Sequence, residues 1–141
     1  MKTVLVTGAN RGIGLGLVRE FLANTEVERI YATTRNIKKS TELLAIEDDR
    51  LQILEVDVVN DEQIKKAVDV ISADSPTGID LLINNAAILN KYAISGEEID
   101  RTKLNEQFEV NCTSLFIIIQ RMLPLLRLGA SCQGSAWVVS I

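Results

Sequence analysis

The strongest chemical signal in this chain is an eight-residue turn near its start, Thr7-Gly8-Ala9-Asn10-Arg11-Gly12-Ile13-Gly14. It stands between a short β-branched apolar run, Lys2 to Thr7, and a segment with apolar residues at 13, 17, 18, 21 and 22, which is helical spacing. A glycine-rich turn leading from a strand into a helix offers unpaired N–H groups and the positive end of a helix dipole to an anion. In such a turn Gly8 permits the tight bend, Gly12 lets a diphosphate reach the backbone, and Gly14 allows close packing of helix on strand. The alternative is a glycine turn with no ligand. The strand–turn–helix context favours the phosphate.

Three other places hold polar residues that could do chemistry. Asp57 follows the apolar run Leu51 to Val56, and Asn84-Asn85 follow Leu81-Leu82-Ile83. Taken alone, the asparagine pair reads as an ordinary turn at a strand end. Asn111 falls on an apolar seam, Leu104, Phe108, Asn111, Leu115, Ile118, Met122 and Leu125, whose steps are 4, 3, 4, 3, 4 and 3 residues. A buried amide left unpaired there would cost about 1–3 kcal/mol. It is therefore either bonded to nearby backbone or a polar group aimed into a site.

The elements that must position these residues alternate. Strands are expected at Lys2–Thr7, Arg29–Thr34, Leu51–Val56, Leu81–Ile83 and Ala136–Ile141. Helices are expected from Ile13 to Leu22, weakly at Lys39–Ala45, after a cap at Asp61, and from about Thr102 to Leu128. Ile64, Ala67, Val68 and Ile71 form one face of the third of these, and Ser75-Pro76-Thr77-Gly78 is a turn. This alternation predicts an α/β fold, a doubly wound parallel sheet with right-handed crossovers and strand order 3-2-1-4-5.

The glycine spacing is GxxxGxG, and TGxxxGIG at an N-terminus resembles the motif of the short-chain dehydrogenase/reductase family, a Rossmann-type fold. Asp57 resembles the aspartate that holds the adenine ring, with Val58 beside it. Asn84-Asn85-Ala86-Ala87 resembles the NNAG motif, departing from it only in Ala87, and Asn111 resembles the asparagine of the Asn-Ser-Tyr-Lys catalytic set, which implies an amide aimed into the active site to hold a water in a proton relay. The resemblance runs from Met1 to Ile141 and implies a dinucleotide site. Gly8, Asn10, Arg11, Gly12, Ile13 and Gly14 would lie in its loop, and Asn84, Asn85 and Ala86 beside it. TGANRGIGLGLV, the TTR after the second strand and the NNAA region look most like the sniffer and C-factor type of carbonyl reductase.

NAD-binding folds place a carboxylate about 20 residues past the glycines. Here that count reaches Thr34, followed by Arg35, whose planar fork suits a 2′-phosphate. Arg11 is a second cation for the same group, so NADP(H) is expected rather than NAD, unless both are merely solvated charges. The resemblance also implies a catalytic Ser, and a Tyr with a Lys four residues on. Neither tyrosine qualifies: Tyr31 is followed at 35 by Arg, and Tyr92 at 96 by Gly. In register with the family's NISS pattern Ser140 matches the Asn, so the catalytic Ser is expected beyond Ile141. The 141 residues thus read as one incomplete NADP-binding domain, inactive alone and marginally stable, with an exposed fifth strand.

Bulk composition agrees with a globular domain: 47% hydrophobic and 24% charged residues. A net charge of −4 argues against nucleic acid and anionic membrane as partners. Apolar runs as short as Leu115–Ile119 argue against a membrane span, and the absence of histidine removes His catalysis and most zinc sites. Cys112 and Cys132 read as free thiols of a cytoplasmic protein. The implied function is hydride transfer between NADP(H) and a small carbonyl or alcohol substrate in a parent enzyme, which could be a homo-oligomer. The rival readings are a catalytically inactive nucleotide-binding or dimerising module, and a fragment with no role of its own.

Overall fold

The computed structural model describes residues 1–89 and 100–141. In chain order its elements are β1 (Thr3–Val6), α1 (Gly12–Ala23), β2 (Arg29–Thr34), a 3-10 turn at Ile37–Lys39, α2 (Thr41–Leu44), β3 (Leu51–Glu55) and α3 (Asp61–Asp74). There follow β4 (Leu81–Asn84), α4 (Arg101–Phe108), a π turn at Glu109–Thr113, α5 (Ser114–Gln133) and β5 (Trp137–Ser140). All pairings are parallel and the strand order is β3-β2-β1-β4-β5, as the alternation predicts.

Strand pleating sorts the core into two layers. Val4, Val6, Ile30, Ala32, Leu81 and Ile83 face Leu15 and Val18 of α1 and Leu43 of α2. Leu5, Tyr31 and Leu82 face Ile64 and Ile71 of α3 and Ile118, Met122 and Leu125 of α5. β1, β2 and β4 are thereby covered on both faces, which is why the apolar residues of β1 and β4 run without alternation. β5 is different: Trp137, Val138 and Val139 are all exposed.

Three local expectations need correction. The long helix runs from Arg101 to Gln133 but is interrupted by the π turn. That wider turn puts an extra residue into the helical count, so the seam loses phase there. Leu104 and Phe108 are consequently exposed, and burial resumes only at Ser114 and Ile118. Asn111 itself lies exposed on the π turn and not within an apolar seam. Ser114 marks the place, its hydroxyl donating to the Glu109 carbonyl at 2.9 Å.

The cap of α3 is Asn60 and not Asp61, since Asn60 Oδ1 accepts from the Gln63 N–H at 3.1 Å. Asp61 takes the next position, where its charge still complements the dipole. The segment Lys39–Ala45 is not one helix. It divides into the 3-10 turn, capped by Asn36, and the four residues of α2. The Ser75–Gly78 turn forms as expected, closed by Gly78 N–H to Ser75 O at 3.1 Å and Ser75 Oγ to Gly78 O at 2.8 Å. By length and hydropathy Arg101–Gln133 could cross a bilayer. In this fold α5 spends Ile118, Met122, Leu125 and Leu126 on the core.

Candidate functional site

Strand order reverses at β1, with β2 on one side and β4 on the other. In open α/β sheets a crevice forms at that switch point, beyond the carboxyl ends of the strands. Here a cleft of about 660 Å³ occupies that position.

Its floor is the glycine turn. Gly8 and Gly12 have φ of +65° and +56°, a region L side chains rarely adopt. At Gly8 space also forbids a side chain, because a Cβ would come within 2.7 Å of Ala86 Cα. At Gly12 a Cβ would meet nothing within 4 Å, so the backbone faces the open cleft. Gly14 serves packing: a Cβ there would fall 2.5 Å from both Asn85 Nδ2 and Gly8 O. Its close approach is therefore to the turn itself and to Asn85.

The first turn of α1 has no side-chain cap, no acidic residue, and an extended residue, Arg11, at its cap position. Its leading N–H groups are left for an anion. Ile13, 63% exposed, is an apolar residue held in the cleft wall. Asn10 lies between the two positive-φ glycines and also lines the cleft.

Thr7 and Asn85 lock this turn to β4. Asn85 Nδ2 donates to Thr7 O at 2.9 Å and Gly8 O at 3.0 Å. The N–H groups of Asn85 and Ala86 both donate to Thr7 Oγ1 at 3.0 Å. The Asn85 side chain thus shapes the loop, while Asn85 and Ala86 still border the cleft. Ala87 needs no glycine, since no described non-glycine residue has positive φ.

Three cations line the cleft. Arg11, Arg35 and Lys39 are exposed and form none of the ion pairs seen among the described residues. The turn carrying Arg35 and Lys39 is pinned by Thr34, whose hydroxyl bonds Ser40 Oγ at 2.8 Å, and by Ser40 Oγ donating to Asn36 O at 2.7 Å. Lys39 was not legible in sequence. It enters through the turn capped by Asn36, which also lines the cleft. Against these cations stands, among the described residues, one lining carboxylate, Asp57, so their charge in the cleft is opposite in sign to the chain's net charge of −4. Asp57 is held by Gln63, which accepts its N–H at 2.6 Å, and Val58 beside it forms part of the wall.

Asn84 and Asn111 meet elsewhere. Both line a second cavity of about 100 Å³, which shares Val58, Ala86, Ala87 and Val110 with the large cleft. Asn111 is bonded in both directions to the Ile88 backbone: Nδ2 donates to Ile88 O at 2.8 Å, and Oδ1 accepts from Ile88 N at 2.9 Å. That is the backbone-bonded alternative, realised at the mouth of a cavity. Asn84 is turned away from the large cleft, and its backbone carbonyl accepts from Ile141 N–H at 3.1 Å.

Tyr31 is excluded from any role in the cleft. It is fully buried on β2 and its hydroxyl donates to Asp74 at 2.6 Å. Burial, reinforced by Asp74, pushes its pKa up to about 12. Tyr92 lies outside the described residues.

A family model described as short chain dehydrogenase matches residues 2–141. The chain belongs to the short-chain dehydrogenase family. Among its relatives, norsolorinic acid ketoreductase of Dothistroma septosporum is 35% identical over 134 residues, which is 91% of this chain and 49% of the relative. The solved structure of the Sniffer protein of Caenorhabditis elegans superposes with a TM-score of 0.90 at 38% identity, covering 100% of this chain and 63% of that one. NADPH-bound carbonyl reductase from chicken fatty liver gives 0.85 at 33% identity, over 94% of this chain and 51% of that one. The chain spans about half the length of the curated relatives it matches.

Proposed function

We propose that the large cleft binds NADP(H) and that these residues form the cofactor-binding part of an NADPH-dependent carbonyl reductase. The observation that carries this reading is the cluster of Arg11, Arg35 and Lys39 around a cleft floored by an uncapped helix start. The N–H groups of the Gly12–Gly14 turn would take the diphosphate, and Asp57 with Val58 would hold the adenine. The three cations would take the 2′-phosphate through charge-assisted bonds. Ile13, on the cleft wall, would pack against the bound cofactor. The bound cofactor would supply hydride to a carbonyl carbon, with a small carbonyl or alcohol as substrate. Asn111, at the mouth of the small cavity, is the residue of the family's catalytic set carried here.

No tyrosine among these 141 residues has a lysine four positions on. The chain by itself would therefore bind cofactor without turning over. Its net charge of −4 supports a reading without a nucleic-acid or membrane partner, and its two cysteines, read as free thiols, support a cytoplasmic one. Isothermal titration of residues 1–141 with NADPH and with NADH tests the reading. NADPH is expected to bind at least about tenfold tighter, a difference of about 1.4 kcal/mol. Equal affinities would overturn the assignment of the 2′-phosphate site, and no binding of either would overturn the cofactor reading. Turnover of a carbonyl substrate by this chain alone would overturn the inactivity.

A further inference from the structure

Thr34 stands where NAD-binding folds carry a carboxylate, and its hydroxyl is spent inside the loop that follows β2. Thr34 and Ser40 are 2% and 1% exposed, and their hydroxyls meet at 2.8 Å. A serine hydroxyl has one proton, and Ser40 donates it to the Asn36 carbonyl at 2.7 Å. The proton between the two hydroxyls is therefore that of Thr34. Thr34 Oγ1 in turn accepts from the Asn36 N–H at 3.4 Å. The three bonds close a ring that leaves Asn36 at its N–H, passes through Thr34 and Ser40, and returns to the carbonyl of the same residue.

This ring brackets both cations that the loop supplies to the cleft. Arg35 sits between Thr34 and Asn36, and Lys39 immediately precedes Ser40. Two further bonds hold the frame: Asn36 Oδ1 accepts from the Lys39 N–H at 3.2 Å, and Glu55 at the end of β3 accepts from the Ile37 N–H at 3.1 Å. Long basic side chains lose freedom when they grip a phosphate, and a loop that had to be ordered at the same moment would add to that cost. A ring already closed removes the second part.

We propose that Ser40 is a specificity-determining positioning residue, whose hydroxyl closes the ring that holds Arg35 and Lys39 ready for a ribose 2′-phosphate. Ser40 does not line the cleft, so it acts only through the two cations. Its role stands on the reading of the cleft as an NADP(H) site. NADH lacks the phosphate and should be blind to the ring.

The test is isothermal titration of the 141-residue chain with NADPH and with NADH, in wild type, Ser40→Ala and Thr34→Val, with affinities taken per folded molecule. Each variant opens the ring at one hydroxyl, and the valine keeps the shape of the side chain it replaces. The preference for NADPH over NADH is expected to fall about fivefold in both variants. A general loosening of the fold would weaken both cofactors alike, and that result overturns the proposal. Equal binding of the two cofactors by the wild type overturns the 2′-phosphate reading and this role together. A wild-type preference that survives intact in the variants overturns the role of Ser40 alone. Backbone 15N relaxation of the free wild-type chain decides the matter without any variant having to fold. The amides of residues 35–40 are expected to be as rigid without cofactor as those of β2, and a loop that orders only when NADPH is added overturns the proposal.

Discussion

The two ends of the parallel sheet treat polar groups in opposite ways. At the amino ends of the strands, charges are matched to partners. Asp80 accepts from the N–H groups of Lys2 and Thr3 at 2.6 and 3.0 Å. Arg50 bonds the carbonyls of Leu22, Asn24 and Val27 as well as Asp48. Arg29 and Tyr31 converge on one oxygen of Asp74. At the carboxyl ends, Arg11, Arg35 and Lys39 border a cleft without ion pairs among the described residues. Paired groups close a surface, whereas unpaired ones beside an open cleft are available to a ligand. The first end holds the sheet, and the second is where binding is to be sought.

Substitutions should separate the two ends. The largest effect is expected from Asp80→Ala, which leaves the buried Thr3 N–H without its acceptor. A loss of about 3 kcal/mol in urea unfolding is expected, with NADPH affinity per folded molecule unchanged. A matching loss of affinity would mean that the ends are coupled. Gly14→Ala comes next. Its Cβ must displace Asn85 or the Gly8 carbonyl, so NADPH affinity by titration should fall at least about tenfold, or 1.4 kcal/mol.

Arg35→Ala probes the cations alone. NADPH binding should weaken by about 1.5–2 kcal/mol with NADH unaffected, and an equal loss for both would place Arg35 away from the 2′-phosphate. The smallest effect is Tyr31→Phe, about 1–1.5 kcal/mol in thermal or urea unfolding.

Tyr31 also gives the amino end a pH signature. Its folded pKa is raised to about 12 from 10.0, so its contribution is intact below pH 10 and is lost as pH rises towards 12. Asp74 titrates in the other direction. Its hydrogen bond from Tyr31 and the charge of Arg29 hold it below the usual carboxylate range, so its contribution is present above pH 3.8 and lost as pH falls below it. Urea unfolding across pH should show both limbs, and Tyr31→Phe should flatten the alkaline one.

Much of this was legible in the chain. The apolar runs of β1 and β4 announced buried parallel strands, and the glycine turn announced the cleft floor. What failed to read did so for physical reasons. The seam through Leu104, Phe108 and Asn111 assumed a constant period, and the π turn breaks it. Asp61 and Asn60 can both cap a helix, and only backbone geometry distinguishes them. Asn84 and Asn85 are neighbours of identical type, yet pleating sends the first towards α5 and lets the second bind the Thr7–Gly8 turn.

By itself the amino-acid sequence determined the alternating α/β order, the glycine turn and the basic residue after β2. It also determined the lack of any Tyr with a Lys four residues on, because these depend on residue type and local spacing. Tertiary structure alone decided that Lys39 joins Arg11 and Arg35, that Asn111 bonds Ile88 across 23 residues, and that Asn84 faces a small cavity and not the cleft. Each of these is a contact between segments distant in the chain. Such contacts are set by how strands register and helices pack, which no local pattern encodes.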